Sequence, residues 1–255
     1  GGPATSAIFS TSKIEIDGGS ISNNDADGAE GALLLYGELN VIDGSYSGDH
    51  NGIVMRGIGL LTVGGGTVDI MQLRTSALGS GNTGGYVQTG GTVTVDISTD
   101  PNNGGNAEKD YATFSLTYPD NVFIMTGGTL HVKSQQPLNN DDVSNLDHGG
   151  LLFINCDPGN QQVTGGTVIL ESSDDDVDGG STTAADEHIV TSRAPFYNVI
   201  IRNTSSDVDD KIVLAEATSG SDNVAASNPD NQTLTAQDLV VLNNLTIETG
   251  TTRTA

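Results

Sequence analysis

The chain has no tryptophan, a single cysteine and only nine basic residues. Each shortage excludes something. With aromatics at 4% of the sequence, rows of stacking platforms for sugar rings or bases are not available. One cysteine cannot form an internal disulfide. Cys156 ends the apolar run "LLFINC", which suits a buried structural thiol better than a nucleophile. Nine Lys and Arg stand against 33 Asp and Glu, a formal charge of −24. Such a balance opposes phosphate backbones and anionic lipid surfaces, so neither a nucleic-acid partner nor direct membrane insertion is expected. No apolar run reaches the roughly 18 residues of a membrane-spanning helix.

Glycine is what the chain has in quantity, with 34 copies. The apolar residues are mostly Val, Ile and Leu in short alternating runs. In "KIEID" (13–17), Ile14 and Ile16 oppose Lys13, Glu15 and Asp17. In "TVTVDI" (92–97), Val93, Val95 and Ile97 oppose Thr92, Thr94 and Asp96. In "TLHVK" (129–133), Leu130 and Val132 oppose Thr129, His131 and Lys133. Period two means a strand with one buried and one wet face. No window shows a capped helical period of comparable length.

A repeat runs through these strands. "TGGT" occurs at 89–92, 126–129 and 164–167, each time followed by an apolar residue, and "GGSI" (18–21), "DGSY" (43–46) and "GGTV" (65–68) are variants. The last glycines of the corners are Gly19, Gly44, Gly66, Gly91, Gly128 and Gly166, which gives steps of 25, 22, 25, 37 and 38 residues. Steps of 22 to 25 suit one coil of three short strands and three bends. The predicted fold is therefore all-β, a right-handed parallel β-helix (solenoid). Inserted acidic loops lie at 98–110, 134–150, 172–187 and 217–233, and each longer step reads as a coil plus such an insertion. Residues 1–195 form the Gly-Gly-Thr coils, and residues 196–255 continue the same solenoid with a second repeat type.

That second type includes "NVIIRN" (198–203) and "VVLNNLTIETGT" (240–251). These strings resemble repeats in large secreted surface proteins of Bacteroidetes-type bacteria. "GGSISNN" (18–24) is more loosely similar to coils of autotransporter passengers and polymorphic outer-membrane proteins. The resemblance implies a β-helix at a bacterial cell surface, used as a stalk or adhesin. On that basis the expected function is a non-catalytic structural or adhesive segment of a larger extracellular protein. The partners it implies are further repeats or end-to-end copies, with cell-surface or carbohydrate ligands. Val199, Ile201, Val213, Leu239, Val241, Leu245 and Ile247 are the candidate inward residues of the tail. No cap follows Leu245 and Ile247, so both are expected to meet a covering partner.

Catalytic candidates are few. His148, beside Asp147 and near Asp141 and Asp142, is the best acid/base candidate, and His131 reads as a surface residue. No carboxylate pair stands out from the rest, and the chain is not expected to be an enzyme. A polysaccharide lyase or glycoside hydrolase on the same scaffold is the second reading, and an ice- or crystal-binding face the third. The third needs a Thr-x-Thr ladder, which only Thr92 and Thr94 supply.

The sharpest motif is "DDDVDGG" (174–180). Asp174, Asp176 and Asp178, followed by Gly179, have the spacing with which alternate carboxylates begin a calcium loop. Asn23, Asp25 and Asp27, before Gly28, are a weaker copy. Neither has an acid at the twelfth place, which holds Ala185 in one and Leu34 in the other. If calcium binds the first site, Asp176→Asn weakens it. Calorimetry in moderate salt, which suppresses counterion uptake, checks this, and equal heats from parent and variant remove the site.

Overall fold

Strands form where apolar and polar residues alternate. The computed structural model of the chain describes residues 8–23, 33–48, 52–76, 82–96, 112–133, 151–172, 187–204, 211–218 and 232–248. Among the described residues the one helical element is a 3-10 turn, Pro158–Asn160. The rest is strand and turn.

The strands assemble into two large parallel sheets. The first has eight strands in the order Ile8–Ser10, Leu33–Leu35, Ile53–Arg56, Leu73–Ser76, Phe114–Leu116, Leu152–Ile154, Glu187–Ser192 and Lys211–Leu214. The second has twelve and forks at the long strand Glu38–Gly48. One arm leaves through Leu60–Val63, Gly85–Gln88, Val122–Met125 and Gln161–Val163. The other leaves through Thr67–Ile70, Thr92–Asp96, Thr129–Lys133, Thr167–Ser172, Phe196–Asn203 and Val241–Glu248. Lys13–Asn23 pairs with Glu38–Gly48, with register shifts on either side of Asp17. A two-stranded antiparallel pair, Ala217–Thr218 with Thr233–Leu234, is separate.

This corrects the expected right-handed parallel β-helix. Two large sheets replace sequentially repeating ladders. Among the described residues, no strand in either large sheet pairs with its successor in the chain. The physical reason lies in Glu38–Gly48. Its hydrogen bonding runs through the Asp43–Gly44 corner, where the Gly44 N–H donates to Asp43 Oδ1 at 2.8 Å and φ is +89°. Glu38–Val41 then pairs with Leu60–Val63, and Ser45–Gly48 with Thr67–Ile70. Ladders that the repeat reading kept apart are joined. The solenoid and repeat-protein descriptions fall with it, while the all-β, parallel content stands.

Register aligns like residues in columns. Ile21, Tyr46, Val68, Val93, Leu130, Val168, Val199 and Leu245 occupy one. From Tyr46 to Val199 these side chains are at most 1% exposed. Rings fill the middle of the core: Tyr86 meets Phe114 edge-on at 5.3 Å and stacks on Phe123 at 6.0 Å, and Phe123 meets Phe196 edge-on at 6.1 Å. The buried Tyr86 hydroxyl donates to Gln88 Oε1 at 2.8 Å, as a buried phenol requires.

The TGGT corners explain their own letters. The two glycines serve different ends. At Gly127 a Cβ would strike the carbonyl oxygen of Thr89 in the neighbouring corner. At Gly128 the backbone is left-handed, φ +79°, and the Gly90 carbonyl oxygen and Gln88 Nε2 lie where a Cβ would sit. That amide donates to Gly90, Gly91 and Thr129 carbonyls. The threonines of the motif stack in register, Thr67 with Thr92, Thr129 and Thr167. The column two residues on reads Asp69, Thr94, His131 and Ile169. That mixture does not make the flat Thr-x-Thr array of an ice-binding face.

Two outcomes follow from this packing. Gly128→Ala is expected to cost about 1–2 kcal/mol from the left-handed backbone alone and more from its clash with the Gly90 carbonyl, which makes it costlier than Gly127→Ala, whose clash with the Thr89 carbonyl comes without that strain. Gly159→Ala has nothing within 4 Å and serves as the neutral control; urea midpoints read all three. His188 is 1% exposed, and burial pushes its imidazole down to about 4 from an ordinary 6.5. A depressed histidine favours the fold while neutral, so its contribution is present above pH 6.5 and lost as pH falls toward 4. The full loss is about 3 kcal/mol. Stability measured between pH 6.5 and about pH 5, above most carboxylate titration, should fall less steeply in His188→Gln. An unchanged slope would place the acid sensitivity elsewhere.

Candidate active site

The second arm of the forked sheet carries a column of charge on its outward face. Asp96, Lys133, Glu171, Arg202 and Glu248 are register partners on five successive strands. Their preceding neighbours in sequence, Val95, Val132, Leu170, Ile201 and Ile247, form the adjacent inward column. Neighbouring strands lie about 4.8 Å apart. Like charges directly opposite destabilise a sheet and unlike charges stabilise it, so the signs alternate along the column.

The contacts are specific. Lys133 Nζ donates to Asp96 Oδ2 at 3.0 Å. Glu171 is the hub: Thr204 Oγ1 donates to its Oε1 at 2.7 Å, His131 Nε2 lies 2.8 Å from its Oε2, and Arg202 Nη1 lies 3.5 Å from that same oxygen. Arg202 Nε donates to Glu248 Oε2 at 2.7 Å. That hydrogen bond, with the attraction of Glu248 and Glu171, holds the guanidinium above its ordinary value against the opposing effect of burial. The Asp96 and Glu171 side chains are only 10% and 6% exposed. Carboxylates so buried need partners to offset lost hydration, and the column provides them.

A second polar network is internal. Asn121, fully buried, accepts from Thr75 Oγ1 at 2.9 Å and donates to the carbonyls of Asn82 and Gly84 at 3.0 Å. Asn82 in turn donates to Ser76 and Met55 carbonyls at 2.9 and 3.1 Å, and Asn155 donates to the Thr117 carbonyl at 3.1 Å. These amides satisfy backbone groups where strands end, and they are too deep to meet a ligand.

The sequence-based site residues fare differently. Asp174, Asp176, Asp178, Asp25, Asp27 and His148 lie outside the described residues. Asn23 closes the strand Lys13–Asn23, paired with Gly48. Among the described residues no group of three or more His, Cys, Asp or Glu is placed to hold a metal ion. Cys156 is buried and its thiol is pushed up to about 12, chiefly by desolvation, which makes it a poor nucleophile. Reading the chain alone missed the charge column and took His131 for a plain surface residue. A signal was there: the fifth residue after the last glycine of each TGGT corner is Asp96, Lys133 and Glu171 in turn.

No family model, no curated protein and no solved structure matches the chain. The resemblance to Bacteroidetes-type surface proteins, autotransporter passengers and polymorphic outer-membrane proteins is corrected by the fold. The two cross-connected sheets are not the sequential ladders of those solenoids. The expectation of a non-catalytic structural or adhesive segment, and of no enzyme, is corrected as well. A nearly buried carboxylate pair, each member with its own cationic or histidine partner, a satisfied polar network and an aromatic core resemble a folded catalytic domain more than an adhesive repeat.

Proposed function

We propose that the chain is a catalytic domain that hydrolyses glycosidic bonds, with Asp96 and Glu171 as its carboxyl pair. One observation carries this reading. The two carboxylates share a column on the outward sheet face with only the Lys133 strand between them. Two strand spacings separate their Cα atoms by about 9.6 Å. Glycosidases that invert the anomeric centre hold their carboxyl groups about 6.5–9.5 Å apart, leaving room for water. In this mechanism one carboxyl group protonates the leaving oxygen, while the other takes a proton from the attacking water. His131 and Thr204 fix the orientation of Glu171, and Lys133 holds Asp96.

The substrate class follows from charge. Three carboxylates and two cations leave the column with a net negative charge, on a chain of −24. Acidic polysaccharides are repelled by such a site. A lyase needs a cation to neutralise the uronate, and Arg202 is already shared between Glu171 and Glu248. Neutral glycans are therefore the favoured substrates, and hydrolysis is favoured over elimination.

The test is a panel of neutral glycans and aryl glycosides, with the anomer of the first-formed product read by NMR. Inverted product is expected. Asp96→Asn and Glu171→Gln should each lower the rate by about 10²–10⁴-fold with circular dichroism unchanged. The variant lacking the base should be rescued by azide, and the one lacking the acid should keep most of its rate on aryl glycosides with good leaving groups. Equal activity in parent and both variants, or no cleavage of any glycan, would overturn the proposal.

A further inference from the structure

An inverting hydrolysis leaves a proton behind. Water attacks the anomeric carbon as the glycosidic C–O bond breaks, one carboxyl group gives its proton to the leaving oxygen, and the other takes one from the water. The base then holds a proton that must leave before it acts again. Glu171 is arranged as the acceptor of the pair. Thr204 Oγ1 donates to its Oε1 at 2.7 Å, and Arg202 Nη1 lies 3.5 Å from its Oε2. Neither neighbour can carry the proton away: a guanidinium has no acceptor and is not deprotonated in proteins, and an alcohol does not hold an extra proton near neutral pH. The carboxylate side chain is itself only 6% exposed. The third neighbour is different. His131 Nε2 lies 2.8 Å from Oε2, and the His131 side chain is 20% exposed. The ring that bonds the carboxylate therefore also reaches solvent. Imidazole is the side chain that gains and loses a proton most readily near neutral pH. Its strand neighbours are Thr94 and Ile169, and Lys133, two residues on, is bonded to Asp96 at 3.0 Å. Among the described residues, Glu171 is the one ionisable group bonded to the ring.

We infer that His131 is the proton outlet of Glu171: beyond orienting the carboxylate, it resets it after each turnover. The inference rests on the glycosidase reading above and assigns Glu171 as the base and Asp96 as the acid. The separation of 2.8 Å is within the reach of direct proton transfer. The step balances. The O–H bond of the protonated Glu171 carboxyl group breaks as an N–H bond forms at Nε2, which restores the carboxylate and leaves an imidazolium. The imidazolium then gives one proton to water or buffer. Asp96 regains one proton from solvent, so no charge accumulates over the cycle. His131 acts through Glu171 and touches no reacting atom of the sugar.

The test separates a proton outlet from an orienting group. Glutamine sets an amide N–H close to the place of Nε2 but cannot take a proton on and pass it off, whereas alanine removes both functions. The substrate is the aryl glycoside with the best leaving group that the parent cleaves, so that bond breaking is fast and the reset limits kcat. His131→Gln and His131→Ala should both lose about 10²-fold in kcat, with KM unchanged and circular dichroism confirming the fold. Free imidazole should restore His131→Ala in proportion to its concentration. Parental kcat in His131→Gln beside a slow His131→Ala would make the histidine an orienting group alone, and would overturn the inference while the glycosidase reading stands. A His131→Ala variant that imidazole leaves unchanged would overturn it in the same way. If the parent cleaves no glycan or aryl glycoside, the glycosidase reading fails and the inference falls with it.

Discussion

Parallel strands held in register at about 4.8 Å are the constraint on which the rest of this molecule depends. Once adjacent strands are aligned residue for residue, each sequence position becomes a column. An inward column must be apolar throughout, as from Tyr46 to Val199. A corner column must lack side chains where backbones meet, as at Gly127 over Thr89. An outward column is free to carry chemistry, provided its charges alternate. A slip of one residue would exchange every inward residue for an outward one. The glycine corners guard against this, because only glycine fits where they stack.

The charge column shows how much such alignment can support. An isolated surface ion pair contributes little, typically about 0–1 kcal/mol. Glu171 differs because its carboxylate is nearly buried and has donors on both oxygens. In that setting the loss of one partner leaves a charge with little water around it, and the penalty approaches the several kcal/mol (about 3–5) of a broken buried pair. The column is thus demanding to build but well ordered once complete. Its rigidity comes from the opposite face of the same strands. Val95, Val132 and Leu170, fully buried, alternate with Asp96, Lys133 and Glu171, so the core pins the backbone that carries the site.

Much of the fold was legible in the sequence, because period two is a local property. Val93 and Val95, and Leu130 and Val132, were assigned inward and are fully buried. The three TGGT copies were taken as stacked corners, and their threonines are register partners. What escaped depends on contacts between distant segments. Whether hydrogen bonding stops or continues at Asp43–Gly44 is decided by the strands on either side, so the joining of ladders into two sheets was hidden. Leu245 and Ile247 were correctly placed in inward columns but are exposed, since burial also needs a neighbour beyond. The charge column was missed for a related reason. Its members are 37, 38, 31 and 46 residues apart in sequence, and only the register brings them together.

The same register bears on the kind of chemistry an outward column can perform. Charges of one sign cannot occupy adjacent strands without repulsion, so two carboxylates in a column are driven to alternate strands. Adjacent strands would set them about 4.8 Å apart, near the roughly 5–5.5 Å of glycosidases that form a covalent intermediate. Alternate strands set them at about twice that, close to the spacing that admits a water molecule between carboxylate and sugar. In this chain Lys133, on the strand between them, pairs with Asp96, while Arg202, on the strand beyond, pairs with Glu171. On a parallel sheet the rule that lets a carboxylate pair exist therefore also favours the inverting distance. Strand spacing sets the backbone separation of the pair, and the Asp and Glu side chains, of different length, set the distance between the carboxyl groups.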